Sequence, residues 1–133
     1  MPDRFTLSNR PENLKLLQKF LRGWGQQRGL SRGRRQGLQK AATEIFHYIV
    51  TRVYPLGVPG SIAITLEEKG ARLRLVFEDD GPPYDAATLD TLSPNSLSPP
   101  AGPDLSSLKK WTESIIYYRT ADRRNRLVAF LTL

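Results

Sequence analysis

Apolar residues recur along this chain with two different periods, and the change of period predicts its elements. Leu14, Leu17, Leu21 and Trp24, and then Leu38, Ala42, Ile45, Ile49 and Val53, follow the three-to-four spacing of helices that bury one face. Pro11-Glu12 suits a first helical turn with Asn9 as its cap, and Ser31 is placed to cap the second helix. Gly23, Gly25 and Gly29 weaken the far end of the first helix, and the Pro55–Gly60 segment stops the second near Tyr54. Outside this stretch the period is two. Phe5 and Leu7 alternate over Arg4–Ser8, and Ile62, Ile64 and Leu66 are followed across a Gly-containing turn by Leu73, Leu75 and Phe77, a hairpin pattern. Two further strands are expected at Ser114–Thr120 and Arg126–Leu133, joined by the polar turn Ala121–Asn125. Residues 86–103 are rich in Ser and Pro and read as a long mobile loop, after which Asp104 can cap a helix running to about Trp111. The order β-α-α-β-β-loop-α-β-β predicts an α+β fold. It is a two-layer α/β sandwich, with helices on one face of a mixed, mostly antiparallel sheet.

Length and composition narrow the class. The 133 residues suit one domain spanning 1–133, and 39% hydrophobic with 25% charged residues is an ordinary globular balance. The absence of Cys excludes disulfides, thiolate zinc sites and a Cys nucleophile, and the lone His47 argues against a His metal cluster or a Ser-His-Asp triad. His47 itself reads as a structural polar residue. No apolar run reaches the roughly 18 residues of a membrane span, and no signal-peptide pattern opens the chain, so a cytoplasmic protein is expected. The net charge of +7 is uneven: residues 1–60 carry eleven Lys+Arg and three acids, residues 61–133 nine and ten. A basic half implies an acidic partner, protein or nucleic acid. The densest basic cluster, Arg28–Arg35, reads either as a phosphate grip or as a solvated turn between helices. No aromatic RNA-binding pattern accompanies it, which argues against nucleic acid.

The most informative stretch is Phe77-Glu78-Asp79-Asp80-Gly81-Pro82-Pro83-Tyr84-Asp85, directly after a predicted strand. Read alone it is either an acidic surface turn or a ligand site, where a strand-end acid accepts from an amine and Gly lets a planar ring approach. Its setting favours the second. The order of elements, with Glu44 on the second helix and Gly102 before the last, resembles the GHKL (Bergerat-fold, histidine-kinase-like) ATPase domain. Within it the chain specifically resembles the anti-sigma-factor serine kinases of the RsbW/SpoIIAB type. It covers Phe5 to Leu133. Asp79-Asp80-Gly81-Pro82-Pro83-Tyr84-Asp85 matches the family's Asp-x-Gly-x-(Gly/Pro)-aromatic-Asp box, and Tyr118-Arg119…Asp122-Arg123-Arg124-Asn125-Arg126-Leu127 is similar to its last hairpin.

The resemblance implies ATP as cofactor, with Asp79 holding the adenine amine and Gly81 lining its pocket. The family's Glu-x-x-x-Asn helix motif supplies a general base and a magnesium ligand; here it reads Glu44 to Tyr48. Glu44 is in place, but a phenol at Tyr48 is a poor magnesium ligand and its ring takes phosphate space. No metal ligand is therefore assigned. The family's Gly-x-Gly-Leu phosphate lid reads Gly102-Pro103-Asp104-Leu105, in which Pro103 removes a backbone donor and Asp104 sets a negative charge beside an anion site. The adenine half looks retained and the triphosphate half eroded. The leading expectation is a degenerate regulatory domain of a partner-switching system, binding a sigma factor or an anti-sigma-factor antagonist, with a homodimer as the family's common state. The alternatives are an active serine kinase of the antagonist and a small basic nucleic-acid-binding domain.

Overall fold

One parity of the strands is apolar, and that parity decides where the helices lie. The computed structural model describes residues 3–84 and 105–132. In it β1 (Asp3–Ser8), β2 (Ser61–Lys69), β3 (Arg72–Asp79), β4 (Ser114–Arg119) and β5 (Asn125–Thr132) form one sheet of order β1-β2-β3-β5-β4. All four strand pairings are antiparallel. Leu7, Ile62, Ile64, Leu66, Leu73, Leu75, Phe77, Leu127, Ala129 and Leu131 belong to one buried cluster with the stripes of both helices. The alternation of side chains across a strand puts these residues on a single face. The sequence pattern is thus realised as helices on one side of a sheet. The other parity carries Arg4, Thr65, Arg74, Glu78 and Arg126.

Helix α1 (Leu14–Gln27) buries Leu17, Leu21 and Trp24, and α2 (Arg32–Tyr48) buries Leu38, Ala42, Ile45 and Phe46. Ser31 caps α2 as its sequence suggests, its side chain accepting from the Arg34 N–H at 3.3 Å. Asn9 does not cap α1. Its side chain accepts from the Gly60 N–H at 2.9 Å and donates to the Val58 carbonyl at 2.8 Å, because the β1–β2 edge offers it two backbone partners at once. The chain instead enters α1 through a 3₁₀ turn, Pro11–Asn13.

After Tyr48 the helix continues to the expected end, but as a π turn, Ile49–Val53. Thr51 donates its hydroxyl back to the His47 carbonyl at 2.7 Å, a competing bond that loosens regular α geometry. The expected last helix is shorter than its pattern: Ser106–Lys110 is 3₁₀. The Asp104 cap and the 86–103 loop lie outside the described residues.

Candidate functional site

Asp79 is the last residue of β3 and has the parity of Leu73, Leu75 and Phe77, so it points into the helix layer. In the sheet register it stands opposite Asn125 on β5, which stands opposite Arg119 on β4. Asp79 and Asn125 are both 0% exposed. A buried carboxylate is tolerated only where donors surround it. Here its Oδ1 accepts from the Gly81 N–H at 2.9 Å and from Asn125 Nδ2 at 2.8 Å. Asn125 also donates to the Pro82 carbonyl at 2.7 Å, while its Oδ1 accepts from the Tyr117 hydroxyl at 2.6 Å and Arg119 Nη1 at 3.1 Å. Arg119 donates to the Gly81 carbonyl as well, at 2.9 Å. The turn after β3 is thereby tied to β5 and β4 through its C=O groups, while its Gly81 N–H returns to Asp79 of β3.

Aromatic rings close over this network. Tyr84 is buried, its ring stacked on Tyr117 at 4.4 Å between centroids and edge-on to Tyr48 at 5.2 Å. Its N–H donates to the Tyr117 hydroxyl at 3.0 Å, and its own hydroxyl reaches Asp79 Oδ2 in a long, weak bond of 3.5 Å. The π turn brings Val53 to the same place. A Cβ on Gly81 would lie 2.8 Å from Val53 Cγ1 and 3.1 Å from Asp79 Oδ1, so this close approach admits only glycine without a shift.

The electrostatics follow from burial. Desolvation pushes the Asp79 carboxyl above its ordinary range, against the opposing hydrogen bonds from Asn125 and Gly81. Burial, reinforced by the Asp79 charge, likewise raises the Tyr84 phenol well above its usual value and keeps it neutral. The neighbouring Asp80 has the opposite parity and a different fate. Burial pushes it up, but the Tyr54 hydroxyl and the Ser61 N–H donate to it and hold its carboxyl below the usual range.

The predicted site residues divide as follows. Asp79, Gly81 and Tyr48 meet in this cluster. Glu44 lies one turn before Tyr48 on α2, half-buried, with Oε2 buried and no hydrogen-bond partner among the described residues. Leu105 is a fully buried core residue just before the 3₁₀ segment. Gly102 and Asp104 lie outside the described residues. Sequence reasoning gave no site role to Tyr84, Tyr117, Arg119 and Asn125. The signal for Asn125 and Tyr117 was strand parity, since Asn125 shares the parity of Leu127, Ala129 and Leu131, and Tyr117 that of Ile115.

An adenine ring would need a free edge of Asp79 and a slot beside it. One carboxylate oxygen has two internal donors, the other faces the Tyr84 hydroxyl, and the Tyr84 ring takes the space between Tyr48 and Tyr117. So arranged, the described residues do not fit a purine. Tyr48, which is 1% exposed, brings no compact oxygen ligand for magnesium. No group of acidic, His or Cys residues among the described ones is arranged to hold a metal ion, and no described helix is long and apolar enough to cross a membrane.

Comparison with known proteins places the chain. The crystal structure of the RsbU and RsbW domains of Rv1364c from Mycobacterium tuberculosis superposes with a TM-score of 0.73 at 15% identity. The match covers 100% of this chain and 32% of that one, so this chain spans about a third of its neighbour's length. A comparison with curated protein sequences finds no match. The family of histidine kinase-like ATPase domains matches residues 7–129. That span includes the strand-end acid, the glycine turn and the sheet apart from residues 3–6 of β1 and 130–132 of β5, and the chain belongs to the histidine kinase-like ATPase domain family.

Proposed function

We propose that this domain is a regulator of the anti-sigma-factor kinase class that works by binding proteins in a partner switch, its nucleotide site having lost most of its use. The partners are a sigma factor, an anti-sigma-factor antagonist, or both. The fold shared with the RsbW domain of Rv1364c supports the class. One observation carries the loss of nucleotide chemistry: Asp79 is sealed, with donors and a tyrosine ring from its own chain where a ligand would stand. Catalysis of phosphoryl transfer is mostly positioning and metal-assisted charge stabilisation, so a domain without a compact magnesium ligand loses turnover before it loses protein binding. The nucleic-acid alternative is weakened by Arg28. It donates to Asp3 at 2.6 Å, lies 3.4 Å from Glu68 and covers the Trp24 ring, which takes it out of the Arg28–Arg35 cluster.

Isothermal titration with ATP and ADP, with and without magnesium, tests the reading on wild type and Tyr48→Asn. Weak or absent binding by wild type, with no magnesium dependence, is expected. Tight magnesium-dependent binding, or phosphorylation of a cognate antagonist at an ordinary kinase rate, overturns it. The observation favouring the active-kinase alternative is the Glu44 Oε2 that has no partner among the described residues, and there Glu44→Gln would abolish transfer while sparing binding.

A further inference from the structure

The outer surface of the helix pair carries a feature that the sealed site does not use. A groove of about 510 Å³ runs between α1 and α2, and its lining includes Arg22, Arg32, Arg35 and Lys40 with Gln18 and Gln39. Among the described residues no carboxylate and no aromatic ring lines it. None of the four cations is in a salt bridge among the described residues. Lys40 leans over Trp111 at the groove's edge, with its ammonium 5.8 Å from the ring centroid.

Arg35 forms the floor. It is half-buried and lies against α1 where Gly25 leaves room: a Cβ on Gly25 would come 3.1 Å from Arg35 Cγ. Its Nε is buried and has no hydrogen-bond partner among the described residues. A buried donor without an acceptor carries a desolvation cost, larger for a charged group, which an incoming acceptor relieves. Packed helices lie about 8–10 Å apart, so the furrow between them suits a peptide segment and not a duplex. Single-stranded nucleic acid is held by aromatic stacking beside a basic track, and this lining has no ring to stack on.

We infer that the α1–α2 groove is the docking site for an acidic protein segment, whose carboxylates pair with Arg22, Arg32 and Lys40 and reach the buried Nε of Arg35. This rests on the domain being a protein binder and gives that binding a surface and a partner chemistry. It does not depend on the state of the nucleotide site.

The test is fluorescence anisotropy with a short fluorescein-labelled peptide of alternating Glu and Leu, read against increasing salt. Arg22→Glu with Arg35→Glu should weaken binding at least about tenfold, since each pair is lost and replaced by repulsion. Arg4→Glu with Lys69→Glu makes the same charge change on the sheet and should leave affinity nearly unchanged. Circular dichroism confirms folding, and Arg22→Glu with Arg32→Glu, at positions away from the buried Nε, repeats the test if Arg35→Glu unfolds the chain. Equal weakening by groove and sheet variants would mean net-charge attraction and overturn the site, as would no binding at low salt. Single- or double-stranded DNA that displaces the peptide and shows the same groove dependence would overturn the protein occupant. A wild type that binds magnesium-ATP tightly while keeping groove-dependent peptide binding refutes the sealed-site reading and leaves this one standing.

Discussion

Tyr84 is the residue whose removal tests the closed site most directly. Its side chain is 5% exposed and makes two ring contacts, with Tyr117 at 4.4 Å and Tyr48 at 5.2 Å. Truncating a buried aromatic to Ala costs about 3–5 kcal/mol, and the aromatic pairs lie within that figure and not on top of it. The hydroxyl's long bond to Asp79 contributes little. Tyr84→Ala should therefore destabilise the domain by about 3–4 kcal/mol, lowering Tm by roughly 10–20 °C for a chain of this size. It also leaves a ring-sized space bounded by Tyr48, Tyr117 and the Asp79 carboxylate. Adenosine present at about 100 times its Kd for that space would restore about 2.7 kcal/mol. Thermal melts of wild type and variant, with adenosine and with p-cresol as a ring lacking the amine, give both numbers. A loss under about 1 kcal/mol would show that the ring is not packed as described. Adenosine that stabilises wild type as much as the variant refutes the idea that Tyr84 closes the site.

Three further outcomes follow from the same network. Asn125→Ala removes the only side-chain amide donor to Asp79 among the described residues and the acceptor of Tyr117 and Arg119, and chemical denaturation should show a loss of about 2–5 kcal/mol. Asp79, with its folded-state carboxyl raised by burial, binds its proton more tightly folded than unfolded. Its contribution is full below the unfolded carboxylate range and lost as pH rises through the raised value, so Asp79→Asn should gain on wild type as pH rises from the acid side toward neutral. A wild type and variant whose stabilities run parallel with pH would refute a buried titrating Asp79. Gly81→Ala drives a Cβ to 2.8 Å from Val53 Cγ1, an overpacking of about 1–3 kcal/mol that Val53→Ala should largely relieve in a double-mutant cycle.

The sequence by itself determined the elements, the layer architecture and the family resemblance. Local periodicity is set by which face must leave water, and that requirement is written residue by residue in Leu17, Leu21 and Ile45 and in Ile62, Leu75 and Leu127. It also marked Asp79, Gly81 and Tyr48 as one site. Only the tertiary structure decided what that site contains. Asn125 lies 46 positions after Asp79 and reaches it through the β3–β5 register, and Tyr84 and Tyr117 meet through a turn and an edge strand. Such long-range pairings depend on how strands align across the sheet, which short-range pattern constrains by parity but does not assign. The same holds for the basic cluster: the sequence groups Arg28 with Arg32 and Arg35, and packing sends the first to Asp3 and the others into the α1–α2 groove.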